Sequence, residues 1–204
     1  MTGLPPRTTL PLPLRTDRLS LRPYAPDDAA RVLDIQSRYD VIRWLGDPPH
    51  VPMAGLAEAR TWIEDLNALP DNDPRCIGLA VEAVGSGVVV GTVMLTTLPR
   101  TDPAELQVGW HLHPDSTGHG YATEAARALL DAAYAHFDGA DGRPLVDRVW
   151  CDMFADNEPS AAIAVRLGLR DTGIRDDPWY EGEGHIFVTT RDDWTAHREG
   201  RPVR

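Results

Sequence analysis

The stretch HLHPDSTGHGYATEA, residues 111–125, constrains this chain more than any other. A strand-like segment, AELQVGWHLH (104–113), runs into a Gly-x-Gly turn, and the turn opens directly into an alanine-rich run with helical spacing. At such a junction the first N–H groups of the helix have no intrahelical partner, and the helix dipole presents its positive end. Gly118 and Gly120 remove the Cβ atoms that would block a close approach or a positive φ. The turn is therefore suited to a phosphate or pyrophosphate. Two other readings stand beside this one. A plain strand-to-helix connection needs no ligand, and a dinucleotide-binding turn would need its third glycine at Thr123 and an acidic residue to close a βαβ unit.

With a side-chain period of two, Leu106, Val108, Trp110 and Leu112 share one face of the strand, while Glu105, Gln107, Gly109, His111 and His113 share the other. The first face is expected in the core. The second is polar and leads to the glycine turn, so it is expected to line a cleft, although a solvated outer face has the same pattern. His111 and His113 are of a type that titrates near neutrality, which makes them candidate bases, but a strand histidine is more often structural.

Around this junction the spacing gives an order β, α, α, β, β, β, α, β, α, β, without internal repeat or long linker. A first strand falls in DRLSLRPY (17–24) and a first helix in APDDAARVLDIQS (25–37). A second helix spans about 54–69. CIGLAVEAV and GVVVGTVMLTTL, separated by GSG, form a hairpin. In the helix after the turn, Ala122, Ala125, Ala126, Leu129, Ala133 and Phe137 lie along one face. DRVWCDMF is a strand, EPSAAIAVRLG a helix ended by Gly168, GHIFVTTRDDW a late strand, and RDDWTAHREGRPVR a solvated end. Such an order makes an α+β fold, an α/β sandwich around one central sheet.

Composition removes several classes of function. The 204 residues, 42% of them hydrophobic, suffice for one core and one domain. A formal net charge of -11 argues against nucleic acid as a partner. All 20 basic residues are arginine, so a lysine-dependent phosphate loop or Schiff base is excluded. Cys76 and Cys151 have no metal-ligand spacing, and no metal is expected. The opening MTGLPPRTTLPLPL lacks the pattern of a secretory leader, and no run of 18 apolar residues occurs, so a cytoplasmic protein without a membrane partner is expected. The expected organisation is a Pro-rich arm over 1–14, a single domain over 15–195 and a polar tail over 196–204.

VGWHLHPDSTGHGYATEA resembles the acetyl-coenzyme A motif of the GNAT acetyltransferases, especially the ribosomal-protein-alanine, RimJ/RimL-like type. The resemblance runs over about 15–195 and includes TDRLSLRPYAPDDA, VIRWLGDPP, DNEPSAAIAVRLGLRDTG and VTTRDDW in the same order. It implies a mixed, mostly antiparallel sheet splayed between its fourth and fifth strands, with acetyl-CoA in the opening. Trp110 and Leu112 would then supply backbone groups near the acetyl and pantetheine. Thr117, Gly118, His119, Gly120, Tyr121 and Ala122 would form the pyrophosphate loop, and Asn157 would hold the pantetheine arm. Ser160 would stand near the sulfur as proton donor.

The chain also departs from that family pattern. Thr117 stands where the family usually has Gln or Arg, and Ala164 where many relatives have a tyrosine. Gln107 stands where a glutamate is common, with Glu105 two residues earlier on the same face as the nearest carboxylate that could serve as base. Asn157 and Ser160 also fit a simple helix start, the asparagine as N-cap. Trp44 and Trp179, in loop-like contexts, are the tryptophans placed to reach a substrate mouth. The expected activity is acetyl-CoA-dependent transfer to a primary amine, on a protein N-terminus or a small molecule such as an aminoglycoside, by a monomer or homodimer. A non-catalytic acyl-CoA sensor and a nucleotide-binding domain are the alternatives from other classes.

Overall fold

The computed structural model describes residues 9–201. One eight-stranded sheet runs through it in the order β1-β2-β3-β4-β5-β6-β8-β7. Its strands are β1 (Leu14–Arg15), β2 (Leu19–Arg22), β3 (Ile77–Ala83), β4 (Val88–Thr97), β5 (Leu106–Leu112), β6 (Arg148–Phe154), β7 (Arg170–Asp176) and β8 (Glu183–Thr190). Every neighbouring pair is antiparallel except β5 and β6. These two are joined by the long crossover helix α5 (Tyr121–His136), as a parallel connection requires. They pair only at Leu106↔Val149 and Gln107↔Trp150 and then part. The other helices are α1 (Ala29–Gln36), α2 (Tyr39–Ile42), α3 (Leu56–Asn67), α4 (Leu69–Asn72), α6 (Glu158–Arg166) and α7 (Arg191–Arg198). None among the described residues is long and apolar enough to cross a membrane.

Two apolar layers hold the sheet. On one side the alanine face of α5 packs on β2 to β6, joining Ala125, Ala126, Leu129 and Ala133 to Leu79, Val81, Val93, Leu95 and Val108. The short side chains let the helix lie close to the sheet, and every residue expected on that face is buried. On the other side α1 and α3 bury Val32, Ala59, Ile63 and Leu66 against Ala80 and Val89. A third cluster of Leu98, Trp179 and Ile186, with Trp150 beside it, lies under the β7–β8 connection.

The late strand stops at Thr190, short of the expected RDDW. The Thr190 hydroxyl accepts from Asp193 N at 3.1 Å and caps α7, whose first turn carries Asp192 and Asp193. Capping and the helix dipole thus win over continued strand pairing. Nor is this end fully solvated: Trp194 is buried, and its indole N–H donates to Asp131 at 2.9 Å. β7 was not expected, because its charged, exposed residues lack apolar alternation. Of the expected arm, residues 1–8 lie outside the described residues, while Leu10 is buried in the main core. Trp179 sits in the third cluster and not at a substrate mouth.

Candidate active site

Where β5 and β6 diverge, a cleft of about 1670 Å³ opens. From Val108 to Leu112 the edge of β5 facing β6 pairs with no strand. Leu106 and Val108 are buried, as their face predicts, whereas Trp110 and Leu112 pack on the core but stay partly exposed because β6 no longer covers them. Trp110, Leu112, Gln107 and Gly109 all line the cleft.

The glycine turn forms one end. His113 caps a short 3-10 turn, Pro114–Ser116, by accepting from Asp115 N at 3.1 Å. Gly118 and Gly120 follow with φ of +78° and +79°, and Gly120 is the N-cap of α5 without any side-chain cap. Among the described residues, the N–H groups of 118–123 donate to no other group of the chain. A row of free donors at the positive end of a 16-residue helix fits a pyrophosphate. Thr117, Gly118, Gly120, Tyr121 and Ala122 line the cleft. The Thr117 hydroxyl, however, is turned back to donate to Pro114 O at 2.7 Å. His119 offers its carbonyl to Arg18 at 3.0 Å, and its ring lies beside Tyr121.

Arg18 was not anticipated at this end. Its guanidinium pairs with Glu124, lies 5.1 Å from the centre of the Tyr121 ring and lines the cleft beside the turn. Arg127 and Arg166 line the same wall. Only the folded chain brings residue 18 next to residue 120, so nothing local in the sequence marks it.

The start of α6 supplies the next wall. Asn157 is buried and caps the helix, its side-chain oxygen accepting from Ser160 N at 3.3 Å. Its amide nitrogen and the Ser160 hydroxyl have no partner among the described residues, and both residues line the cleft. The capping role expected from the sequence and a role toward a ligand therefore use different atoms of one side chain.

The opposite end is acidic and aromatic. Asp152 of β6, Asp47 after α2, and Asp177, Tyr180, Glu181 and Glu183 around the β7–β8 connection line it, together with Trp44 and Phe154. Gln107 donates to the Tyr180 hydroxyl at 2.6 Å. Asp177 is fixed by the N–H groups of Trp179 and Tyr180, at 2.7 and 3.1 Å. Asp152 Oδ1 is buried without a hydrogen-bond donor among the described residues. Burial first, and then the neighbouring Asp177, pushes the Asp152 carboxyl up to about 8. Strand alternation could have found Asp152, since it shares a face with Trp150 and Phe154.

Of the anticipated bases, Glu105 and His113 lie outside the cleft lining, and His111 reaches it only from a buried position. Glu105 lies just before β5, outside the cleft lining, and its carboxylate accepts from the Trp150 indole at 2.8 Å and pairs with Arg148 at 3.5 Å. His111 is buried beneath α1 and α3, with Nε2 2.9 Å from Thr92 Oγ1 and 3.1 Å from Gln36 Nε2. Desolvation lowers it to about 4 and keeps it neutral. His113 is buried too, with Nε2 3.2 Å from an Asp34 oxygen. The polar face of β5 thus lines the cleft from Gln107 to His111, while both histidines lock the strand to α1. Among the described residues no group of three or more His, Cys, Asp or Glu is arranged to hold a metal ion.

Comparison with known proteins adds an independent line. A family model described as an acetyltransferase (GNAT) domain matches residues 18–170. The chain is 23% identical over 161 residues to the uncharacterized N-acetyltransferase YoaA of Bacillus subtilis, covering 79% of this chain and 84% of that one. A ribosomal-protein-alanine acetyltransferase structure from Vibrio fischeri shares the fold at a TM-score of 0.68, with 17% identity over 90% of this chain and 99% of its own. The microcin self-immunity acetyltransferase MccE, in complex with acetyl-CoA and AMP, superposes with a TM-score of 0.66 at 19% identity, covering 86% and 93% of the two chains.

Proposed function

We propose that this chain, which belongs to the GNAT acetyltransferase family, passes the acetyl group of acetyl-CoA directly to a primary amine that arrives as a cation, preferring the α-amine of a protein or peptide N-terminus. The family assignment makes the chain an acetyl-CoA-dependent N-acetyltransferase. The acceptor and the residue roles are our reading. One observation carries it: a single cleft joins a row of free N–H groups at one end to a set of carboxylates at the other, across the place where β5 and β6 part.

In this reading the turn 117–122 and the α5 dipole hold the coenzyme pyrophosphate. The unpaired edge of β5 around Trp110 and Leu112 takes the pantetheine as an added strand and offers an N–H to the thioester carbonyl, stabilising charge that develops during attack. Asn157 donates its free amide to the pantetheine arm. Ser160, with its unengaged hydroxyl, delivers a proton to the leaving thiolate. Direct attack is favoured over a covalent relay because Cys151, the thiol that lines the cleft, is buried and its pKa is pushed far up by desolvation. Holding amine and thioester in one cleft supplies the orientation that a bimolecular reaction lacks in water.

The acidic end draws a cationic acceptor, and proton removal then selects among amines. A lysine side chain of pKa near 10.4 costs about 4.6 kcal/mol to neutralise at pH 7, and an α-amine near 8 about 1.4 kcal/mol. The difference, about 3.3 kcal/mol, favours the α-amine. The test compares kcat/KM at neutral pH for two peptides of one sequence, one blocked at its N-terminus and one blocked at its lysine. Higher activity on the free α-amine is expected; equal or greater activity on the lysine-only peptide refutes the preference.

A further inference from the structure

The neutral Gln107 leaves β5 without a carboxylate in the cleft, and the nearest one in sequence, Glu105, is bound elsewhere. The opposite strand supplies what β5 lacks. Asp152 extends from β6 just beyond the point where the two strands separate, and Asp177 meets it from the β7–β8 connection. The two approach over Gly184, which pairs with Phe154 at the end of β6. A Cβ on Gly184 would stand 2.6 Å from Asp177 Oδ2 and 2.7 Å from Asp152 Oδ1, so glycine is what allows both carboxylates into the same space. The orphaned Oδ1 of Asp152 lies there with no donor among the described residues.

We propose that Asp152, paired with Asp177, is the catalytic base that accepts the proton of the acceptor's ammonium group. The proposal deepens the reading given above and rests on it. The ammonium gives one proton to the Asp152 carboxylate. The freed nitrogen lone pair attacks the thioester carbonyl carbon, and the C–S bond breaks as the C–N bond is made. The second nitrogen proton reaches the leaving sulfur through Ser160 or water, and Asp152 returns its proton to solvent. Before transfer, the ammonium is also the donor that Oδ1 lacks.

The surroundings explain why this pair suits an α-amine. The titratable groups facing Asp152 are Asp177 and Tyr180 from the β7–β8 connection, Asp47 from the segment after α2, and Cys151 beside it in β6. None of these is a cation. Like charge and burial both favour the protonated carboxyl. A base so raised matches an α-ammonium near pKa 8, and proton transfer between them is close to balanced. Transfer from a lysine ammonium runs uphill.

The test is the pH dependence of kcat/KM for the wild type, Asp152→Asn, Asp177→Asn and Gly184→Ala, with the acetyl-CoA Kd measured for each as a control of folding. The acceptor is the best of a panel containing the α-amine peptide, the lysine peptide and a diamine. For the wild type, kcat/KM rises with pH through the titration of Asp152. Asp152→Asn is expected to lose about 10²-fold or more in kcat, with the Kd unchanged. Asp177→Asn removes the neighbouring charge and is expected to move the acidic limb to lower pH by about one unit, which the titration of the amine itself cannot do. Gly184→Ala, which drives the carboxylates apart, should lower kcat in the same direction as Asp152→Asn. An unchanged rate in Asp152→Asn, or an unmoved limb in Asp177→Asn, overturns the assignment. If the best acceptor is not the α-amine, the N-terminal preference fails, while the base still stands or falls on the limb alone.

Discussion

Gly120→Glu tests coenzyme recognition at the turn. Residue 120 is the N-cap of α5 with φ of +79°, and the N–H groups from 118 to 123 have no partner among the described residues. A side chain here brings two costs that can be separated. The left-handed backbone penalises any Cβ by about 1–2 kcal/mol, and this falls on folding stability. The carboxylate falls on binding. Placed about 5 Å from a phosphate at an effective dielectric near 20, it opposes each phosphate charge by about 3 kcal/mol, or about two decades in Kd. Arg18 Nη2 lies 3.5 Å from the position of the new Cβ and could pair with the glutamate, but that arginine already serves Glu124. The Cβ itself meets ordinary van der Waals space, so Gly120→Ala isolates the backbone strain. Calorimetric titration of acetyl-CoA into both variants, with thermal melts alongside, should give a lowered melting temperature in both and an affinity loss of about 10²-fold in the glutamate variant. A folded Gly120→Glu with a Kd within about threefold of the wild type would refute the placement of the pyrophosphate.

Ser160→Ala should lower kcat by up to about 10²-fold with little change in the acetyl-CoA KM, because it removes a proton donor and not a binding contact; an unchanged kcat would assign that proton to water. Asn157→Ala should raise the acetyl-CoA KM and also cost about 1 kcal/mol of stability through the lost cap of α6, read from denaturant unfolding, and a stability loss alone would leave Asn157 as a cap only. Glu105→Gln should leave the pH-rate profile in place, because that carboxylate is held by Trp150 and Arg148 outside the cleft, and a flattened acidic limb would contradict this. The Asp152 carboxyl is raised in the folded chain, to about 8, above an unfolded value near 3.9, so its contribution to stability is full below about pH 4 and is lost as pH rises through about 8. Asp152→Asn should therefore flatten the fall of melting temperature over that window, and an unchanged slope would mean the carboxyl is not raised.

The parts of this molecule legible in its sequence are those decided by local chemistry. The face of α5 follows from alanine and leucine spacing, the β3–β4 hairpin from β-branched runs around GSG, and the turn from its two glycines. Local chemistry also accounts for α7, where Thr190 and the two aspartates after it outvote the strand pattern. The acidic end of the cleft is another matter. Asp152, Asp177 and Asp47 are far apart in the chain, and only the pairing of β6 with β8, together with the return of the β7–β8 connection, brings them together. Glu105 illustrates the converse. It has the right residue type on the right strand face, but the Trp150 indole and Arg148 across the short β5–β6 pairing take it first. His111 likewise shares the polar face, yet α1 and α3 cover it and leave it neutral.

Initial-velocity kinetics test the central claim that one cleft brings acetyl-CoA and an amine together for direct transfer. Thiol release is followed while acetyl-CoA and an α-amine peptide are varied against each other. Double-reciprocal lines that intersect are the predicted result, because both substrates must occupy the cleft before the C–S bond breaks. Parallel lines, the mark of an acyl-enzyme formed before the amine arrives, would contradict the account and point to Cys151 or Ser160 as a covalent carrier.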